Sequence, residues 1–109
     1  MDKESVNTII TYLADHLKTT GIPIERIILF GSGSTQQMNP NSDLDIAIIS
    51  PAFKEKTIFE RADMTSEAEI ACIRKFRIPL DIITMTEEEL QEKSSVIAYA
   101  LREGIEVPI

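Results

Sequence analysis

The stretch Leu29-Phe-Gly-Ser-Gly-Ser-Thr-Gln-Gln-Met-Asn-Pro-Asn-Ser-Asp-Leu-Asp45 decides how this chain is read. It opens at the end of a short run of branched apolar residues, Arg26-Ile-Ile-Leu-Phe30, which Gly31 stops: the pattern of a buried strand. It closes at the start of a second such run, Leu44-Asp-Ile-Ala-Ile-Ile49, which Ser50-Pro51 stops. Residues 31–42 between them are Gly, Ser, Asn and Pro punctuation, the composition of a loop. Asp43 and Asp45 are two apart on an extended segment, so period-two alternation points both carboxylates to one face. Two like charges there resist joint ionisation unless a cation lies between them. Carboxylate oxygens without His or Cys favour the hard ions Mg²⁺ or Mn²⁺.

A third acid, Asp81, interrupts another apolar run, Ile78-Pro-Leu-Asp-Ile-Ile83. An acid inside such a strand is costly unless it is paired or metal-bound. If this strand lies beside the second, three carboxylates converge. Pro79 near its start argues for a strand end or an edge. Upstream, Gly31 and Ser32 sit where a buried strand ends and can offer backbone N–H groups and a hydroxyl to phosphate oxygens. Phosphates held at one end and a carboxylate-bound metal pair at the other make a site for nucleotidyl transfer. Other phosphate and cation motifs fit worse. There is no G-x-x-x-x-G-K-[ST]. An EF-hand over Asn39-x-Asn41-x-Asp43 fails because Leu44 stands where the turn glycine belongs.

Outward from this centre, Val6, Ile9, Ile10, Leu13 and Leu17 recur at helical spacing, and Gly21 with Pro23 ends that helix. Residues 54–76 lack Pro and Gly and read as one helix or two short ones. Thr86 before Glu87-Glu-Glu89 starts a helix expected to run to about Glu103, with Gly104 as its C-cap. The order α-β-loop-β-α-β-α is that of a small α/β (α+β) domain.

The 109 residues make one domain's worth of chain, 1–109. Acidic residues outnumber basic ones 18 to 11, for a net charge of −7. That balance disfavours nucleic acid as partner, since phosphate contacts need clustered Lys and Arg. A single Cys72 excludes an intrachain disulfide and a Cys-rich zinc site, and a single His16 excludes His-based metal motifs. The start carries acids where a signal peptide carries bases, and no run reaches membrane-spanning length, so a cytoplasmic protein without membrane contact is expected.

Gly31-Ser32, ten residues, then Asp43-x-Asp45 resembles the G-S-x10-D-x-D signature of the DNA polymerase beta nucleotidyltransferase superfamily. More closely, the chain resembles its minimal nucleotidyltransferases, over about residues 5–85 and the last helix. The resemblance implies a small mixed β-sheet with flanking helices. It implies two Mg²⁺ ions, or Mn²⁺, at Asp43 and Asp45 with Asp81 as third carboxylate, and an NTP, ATP by preference, with its triphosphate at Gly31 and Ser32. It also implies a helical HEPN-type protein partner, in a toxin–antitoxin pair where the nucleotidyltransferase neutralises the toxin by attaching AMP. Relatives commonly read G-S-R-A-R-G, whereas here Thr35 and Gln36 stand where Arg and Gly are usual. Fewer arginines mean weaker phosphate neutralisation. A second reading therefore stands beside the enzyme: a binding module that keeps the fold and acts by docking to a partner. A third is the accessory half of a split small-molecule nucleotidyltransferase, and homo-oligomers are compatible with all three.

Several residues have plainer readings. His16, Cys72 and Tyr99 read as structural or packing residues, Glu87–Glu89 as a helix start with a solvated face, and Arg74, Lys75 and Arg77 as a solvated helix end. Val96, Ile97 and Leu101 suit a core and an interface equally.

Overall fold

The structure, a computed structural model, describes residues 3–31 and 44–109. Helix α1 spans Lys3–Thr19 and buries Val6, Ile9, Ile10, Leu13, Ala14 and Leu17, the expected apolar face. Gly21 ends it with φ +88°, a left-handed conformation that costs glycine nothing, while the Ile22 N–H donates to the Leu17 carbonyl at 3.0 Å. Strand β1 follows at Arg26–Leu29 and strand β2 at Leu44–Ile49. A single 3-10 turn at Pro51–Phe53 leads to helix α2, Ile58–Phe76. A capping box starts α2: the Thr57 hydroxyl accepts from the Glu60 N–H at 3.1 Å, and the Glu60 carboxylate accepts from the Thr57 N–H at 2.8 Å.

Strand β3 runs from Leu80 to Met85, two residues later than the sequence suggests, with Pro79 just before it. The strands form one mixed sheet in the order β3-β2-β1-β4, where β4 is Ile105–Val107. Strand β2 is antiparallel to β1 and parallel to β3, and α2 makes the crossover between the parallel pair.

Alternation along the strands divides the core in two. Ile27, Leu29, Leu44, Ile46 and Ile48 pack against α1 and against Ala68 and Cys72 of α2. Ile28, Ala47 and Ile49 point to the other face, where the buried cover is Leu90 and Leu101. That second cover is thin, and Ile83 and Met85 of β3 stay half-buried.

The expected single helix over residues 86–103 is two short ones, α3 at Glu87–Leu90 and α4 at Val96–Arg102. The interruption is built from side chains. The Glu92 carboxylate accepts from the Ser94 N–H and hydroxyl at 3.3 and 3.0 Å, and the Ser95 hydroxyl restarts the helix by accepting from the Ala98 N–H at 3.1 Å. Arg102 donates to the Leu90 carbonyl at 2.5 Å and so satisfies the end of α3. Strand β4 is an element the sequence does not signal, because three residues carry no measurable periodicity. Gly104 lies one residue past the C-cap Glu103 rather than at it. A Cβ there would meet the Ile28 side chain at 2.7 Å, so the glycine lets the chain turn tightly against β1.

Tyr99 departs from its expected packing role. It is 60% exposed, because α4 turns only Ala98 and Leu101 inward, and the Arg102 guanidinium lies 6.0 Å from its ring centroid. On the same helix Leu101 is core, whereas Val96 and Ile97 face solvent. Cys72 is a core residue, its thiol 3.8 Å from the Ile9 carbonyl and pushed up to about 11 by burial. His16 is half-buried against Tyr12, with ring centroids 6.3 Å apart.

Candidate active site

The end of β1 and the start of β2 are tied by the Phe30 N–H, which donates to the Asp45 carbonyl at 3.2 Å and extends the ladder one step past Leu29–Ile46. Gly31 comes next, at φ +60°. A Cβ on Gly31 would lie 2.5 Å from the Asp45 carboxylate oxygen Oδ2 and 3.3 Å from Cγ. Two independent features thus favour glycine here: a left-handed backbone and the close approach of a carboxylate, which a Cβ would push aside.

Asp45 stands directly opposite Asp81 in the parallel β2–β3 ladder. Adjacent strands are about 4.8 Å apart, so in-register side chains on one face are immediate neighbours. The ladder begins here, with the Leu44 N–H donating to the Pro79 carbonyl at 3.0 Å. Pro79 has no N–H to offer but supplies this acceptor, so it serves at the first step of an edge strand. Asp45 is half-buried and Asp81 exposed. Both belong to the thinly covered face, as Ala47, Ile49, Ile83 and Met85 do along the same two strands.

Glu69 of α2 joins this neighbourhood. Its carboxyl is raised above the ordinary value, first by burial and then by the negative charge of Asp81. The sequence offers no signal for it: Glu69 is one acid among several on a charged helix face, and only the packing of α2 beside β3 brings it near Asp81.

Asp43, Ser32, Thr35 and Gln36 lie outside the described residues. Among the described residues, no three His, Cys, Asp or Glu side chains gather closely enough to hold a metal ion by themselves. Asp45 and Asp81 make a pair of hard oxygen donors on one face, and this donor chemistry fits a Mg²⁺ or Mn²⁺ ion better than a soft one. Arg74, Lys75 and Arg77 are exposed at the end of α2. The Lys75 ammonium lies 5.3 Å from the Tyr12 ring centroid, and Arg77 closes the helix in a left-handed conformation at φ +59°.

Among the described residues no helix is long and apolar enough to cross a membrane.

Residues 7–107 match the family of polymerase beta nucleotidyltransferases. Among solved structures, the chain is similar to a candidate nucleotidyltransferase from Sulfolobus solfataricus, with a TM-score of 0.60 and 23% identity over 76% of this chain and 68% of that one. It is also similar to a chain from a toxin–antitoxin crystallised with AMP-PNP, with a TM-score of 0.62 and 22% identity over 92% of this chain and 70% of that one. At these identities the likeness is one of fold. No curated protein matches the chain.

Proposed function

Because the chain belongs to the polymerase beta nucleotidyltransferase family, we propose that it transfers a nucleoside monophosphate, AMP by preference, from an NTP to a hydroxyl of a partner protein. The observation that carries this reading is the in-register pair Asp45–Asp81, with Gly31 pressed against the Asp45 carboxylate. Asp45 and Asp81, with Asp43, are the residues that would hold Mg²⁺, in two ions as the family pattern implies. Such ions, when bound, would supply Lewis acidity toward the attacking hydroxyl and the departing pyrophosphate. Gly31 and Ser32 hold the triphosphate through backbone N–H groups and a hydroxyl. Asp81, the more exposed of the pair, faces the acceptor and takes the proton of its hydroxyl. The acceptor oxygen forms a bond to the α-phosphorus, the bond to the bridging oxygen breaks, and pyrophosphate leaves with that electron pair.

A protein acceptor is supported by the charge of −7, which disfavours nucleic acid. The similar toxin–antitoxin chain, seen with AMP-PNP, supports a protein partner and ATP as donor; a helical HEPN-type toxin as that partner rests on the motif resemblance alone. The test is incubation with NTPs labelled at the α-phosphate, Mg²⁺ or Mn²⁺, and, as the acceptor tried, the protein encoded in the adjacent reading frame. Label on that protein with ATP, lost in Asp45→Asn and Asp81→Asn, is expected. Label retained in both variants refutes the reading.

The departures Thr35 and Gln36 favour a second reading, docking without turnover. It expects the two Asn variants to neutralise the partner as well as the unaltered chain does, whereas the transfer reading expects neutralisation to fail with binding intact.

A further inference from the structure

Along β3, Asp81, Ile83 and Met85 alternate onto one face, the face that carries Asp45. Beyond Asp81 this face opens into a groove of about 560 Å³. Its apolar walls are Ile83 and Met85, Ile58 from the first turn of α2, and Ile97 from the first turn of α4. Ile58 is 73% exposed and Ile97 56%, and their chain neighbours Phe59 and Val96 are more exposed still. Large apolar side chains gathered around one concavity mark an interaction surface.

Charge decides what covers it. The groove is lined by Glu88, Glu89, Glu92 and a single cation, Arg61. Arg61 is already committed to Glu89 at 2.7 Å, which leaves Glu88 and Glu92 as a net acidic rim. An isologous second copy would bring two acidic rims together, on chains that each carry −7. A nucleotide or an anionic lipid surface would be repelled as well.

We propose that this groove seats a partner protein through a segment whose apolar side chains are flanked by Lys or Arg. The groove starts two residues along β3 from Asp81, roughly 7 Å at the usual rise per residue. A protein docked there lies within reach of the Asp45–Asp81 pair. As the seat of an acceptor the groove rests on the transfer reading; as a docking surface it does not.

The probe is a synthetic amphipathic helical peptide with a leucine stripe flanked by lysines, beside a twin with glutamates in place of the lysines. Fluorescence anisotropy reads affinity and backbone NMR shifts read location. The lysine peptide is expected to bind, with shifts confined to β3, α3 and the starts of α2 and α4. The glutamate twin is expected to bind at least about tenfold more weakly, and Glu88→Lys/Glu92→Lys to reverse that preference. Ile58→Ser/Ile97→Ser, at two exposed positions that leave the core intact, should abolish binding of both peptides while circular dichroism and Tm stay unchanged. Equal affinity for the twins, shifts elsewhere, or binding that survives the paired isoleucine change overturns the proposal. Self-association of the free chain that the isoleucine change removes also overturns it, in favour of a second copy. Asp45→Asn keeps peptide binding, so a failed groove with intact ATP labelling, or the converse, tells the two readings apart.

Discussion

Gly31 and Asp45 are bound to each other by sterics, and the consequence is measurable. Gly31→Ala places a Cβ 2.5 Å from the Asp45 carboxylate at a φ of +60°. The backbone penalty alone is about 1–2 kcal/mol, and the carboxylate must move as well. Urea unfolding should register at least that loss, and Mg²⁺-ATP should stabilise the variant less than the unaltered protein. Cys72 gives a second expectation. Its thiol is buried and pushed up to about 11, so a thiol reagent at pH 8 should leave it intact in the folded protein and modify it after denaturation. The sequence marks Gly31 as the end of a buried strand and a turn, but its close approach to Asp45 was not legible there. Nor was the partner of Asp81. The sequence places an acid in a strand but does not say which strand lies beside it, and it is the parallel β2–β3 register that sets Asp81 against Asp45. Glu69 was invisible because its relevance depends wholly on helix packing.

At the scale of elements, Arg61 joins α2, β3 and α3. Its guanidinium donates to the Lys56 carbonyl at 3.0 Å, to the Thr84 carbonyl at 3.3 Å and to both oxygens of Glu89 at 2.7 and 3.2 Å, and it lies 5.8 Å from the Phe53 ring centroid. Glu89 also accepts from the Thr86 N–H at 2.8 Å, closing the capping box of α3. The Arg61 hydrogen bonds, followed by Thr86 and the Arg61 charge, outweigh burial and hold the Glu89 carboxyl below its ordinary value of 4.5. A depressed native value stabilises the fold in full above 4.5, and that contribution is lost as pH falls through the lower native value. Glu89→Gln should therefore lower stability near neutral pH by about 1 kcal/mol at most for a half-exposed carboxylate, with a lower Tm, and the gap should close in acid. A Tm–pH profile of the two proteins checks it. From the sequence, Glu87–Glu89 reads as a solvated helix start. The start is there, but Glu89 meets Arg61 and Glu87 meets Arg26 at 2.8 Å, across separations no local pattern reveals. The division of the last helix was hidden for a related reason: Glu92, Ser94 and Ser95 are ordinary surface residues until their side chains cap the backbone.

For the whole molecule, the asymmetry of the sheet is the main feature. One face is sealed by α1 and α2, and the other keeps β3 half-open beside Asp45 and Asp81. Stability should follow the sealed side. Ile46→Ala, at a position with no exposure, should cost roughly 2–5 kcal/mol in urea unfolding, a large share of a typical domain's stability. The open side carries Asp45 and Asp81, and its acidic rim and exposed isoleucines fit the proposed docking of another protein. The α/β class and the placing of Asp45 and Asp81 on strands were readable from alternation, glycine placement and spacing. The strand order and β4 were not, since pairing is a long-range property.

If Asp45 and Asp81 form a metal-dependent nucleotide site, Mg²⁺-ATP must stabilise the fold through them. Thermal unfolding with and without Mg²⁺-ATP, in the unaltered protein and in Asp45→Asn, decides the matter. At about 100 times Kd the ligand should stabilise by roughly 2.7 kcal/mol, a Tm rise of about 10 °C or more for a domain of this size. That rise is expected in the unaltered protein, with its loss when the metal is withheld and its loss in the variant. No rise with any NTP, or an equal rise in Asp45→Asn, would contradict a nucleotide site built on this pair.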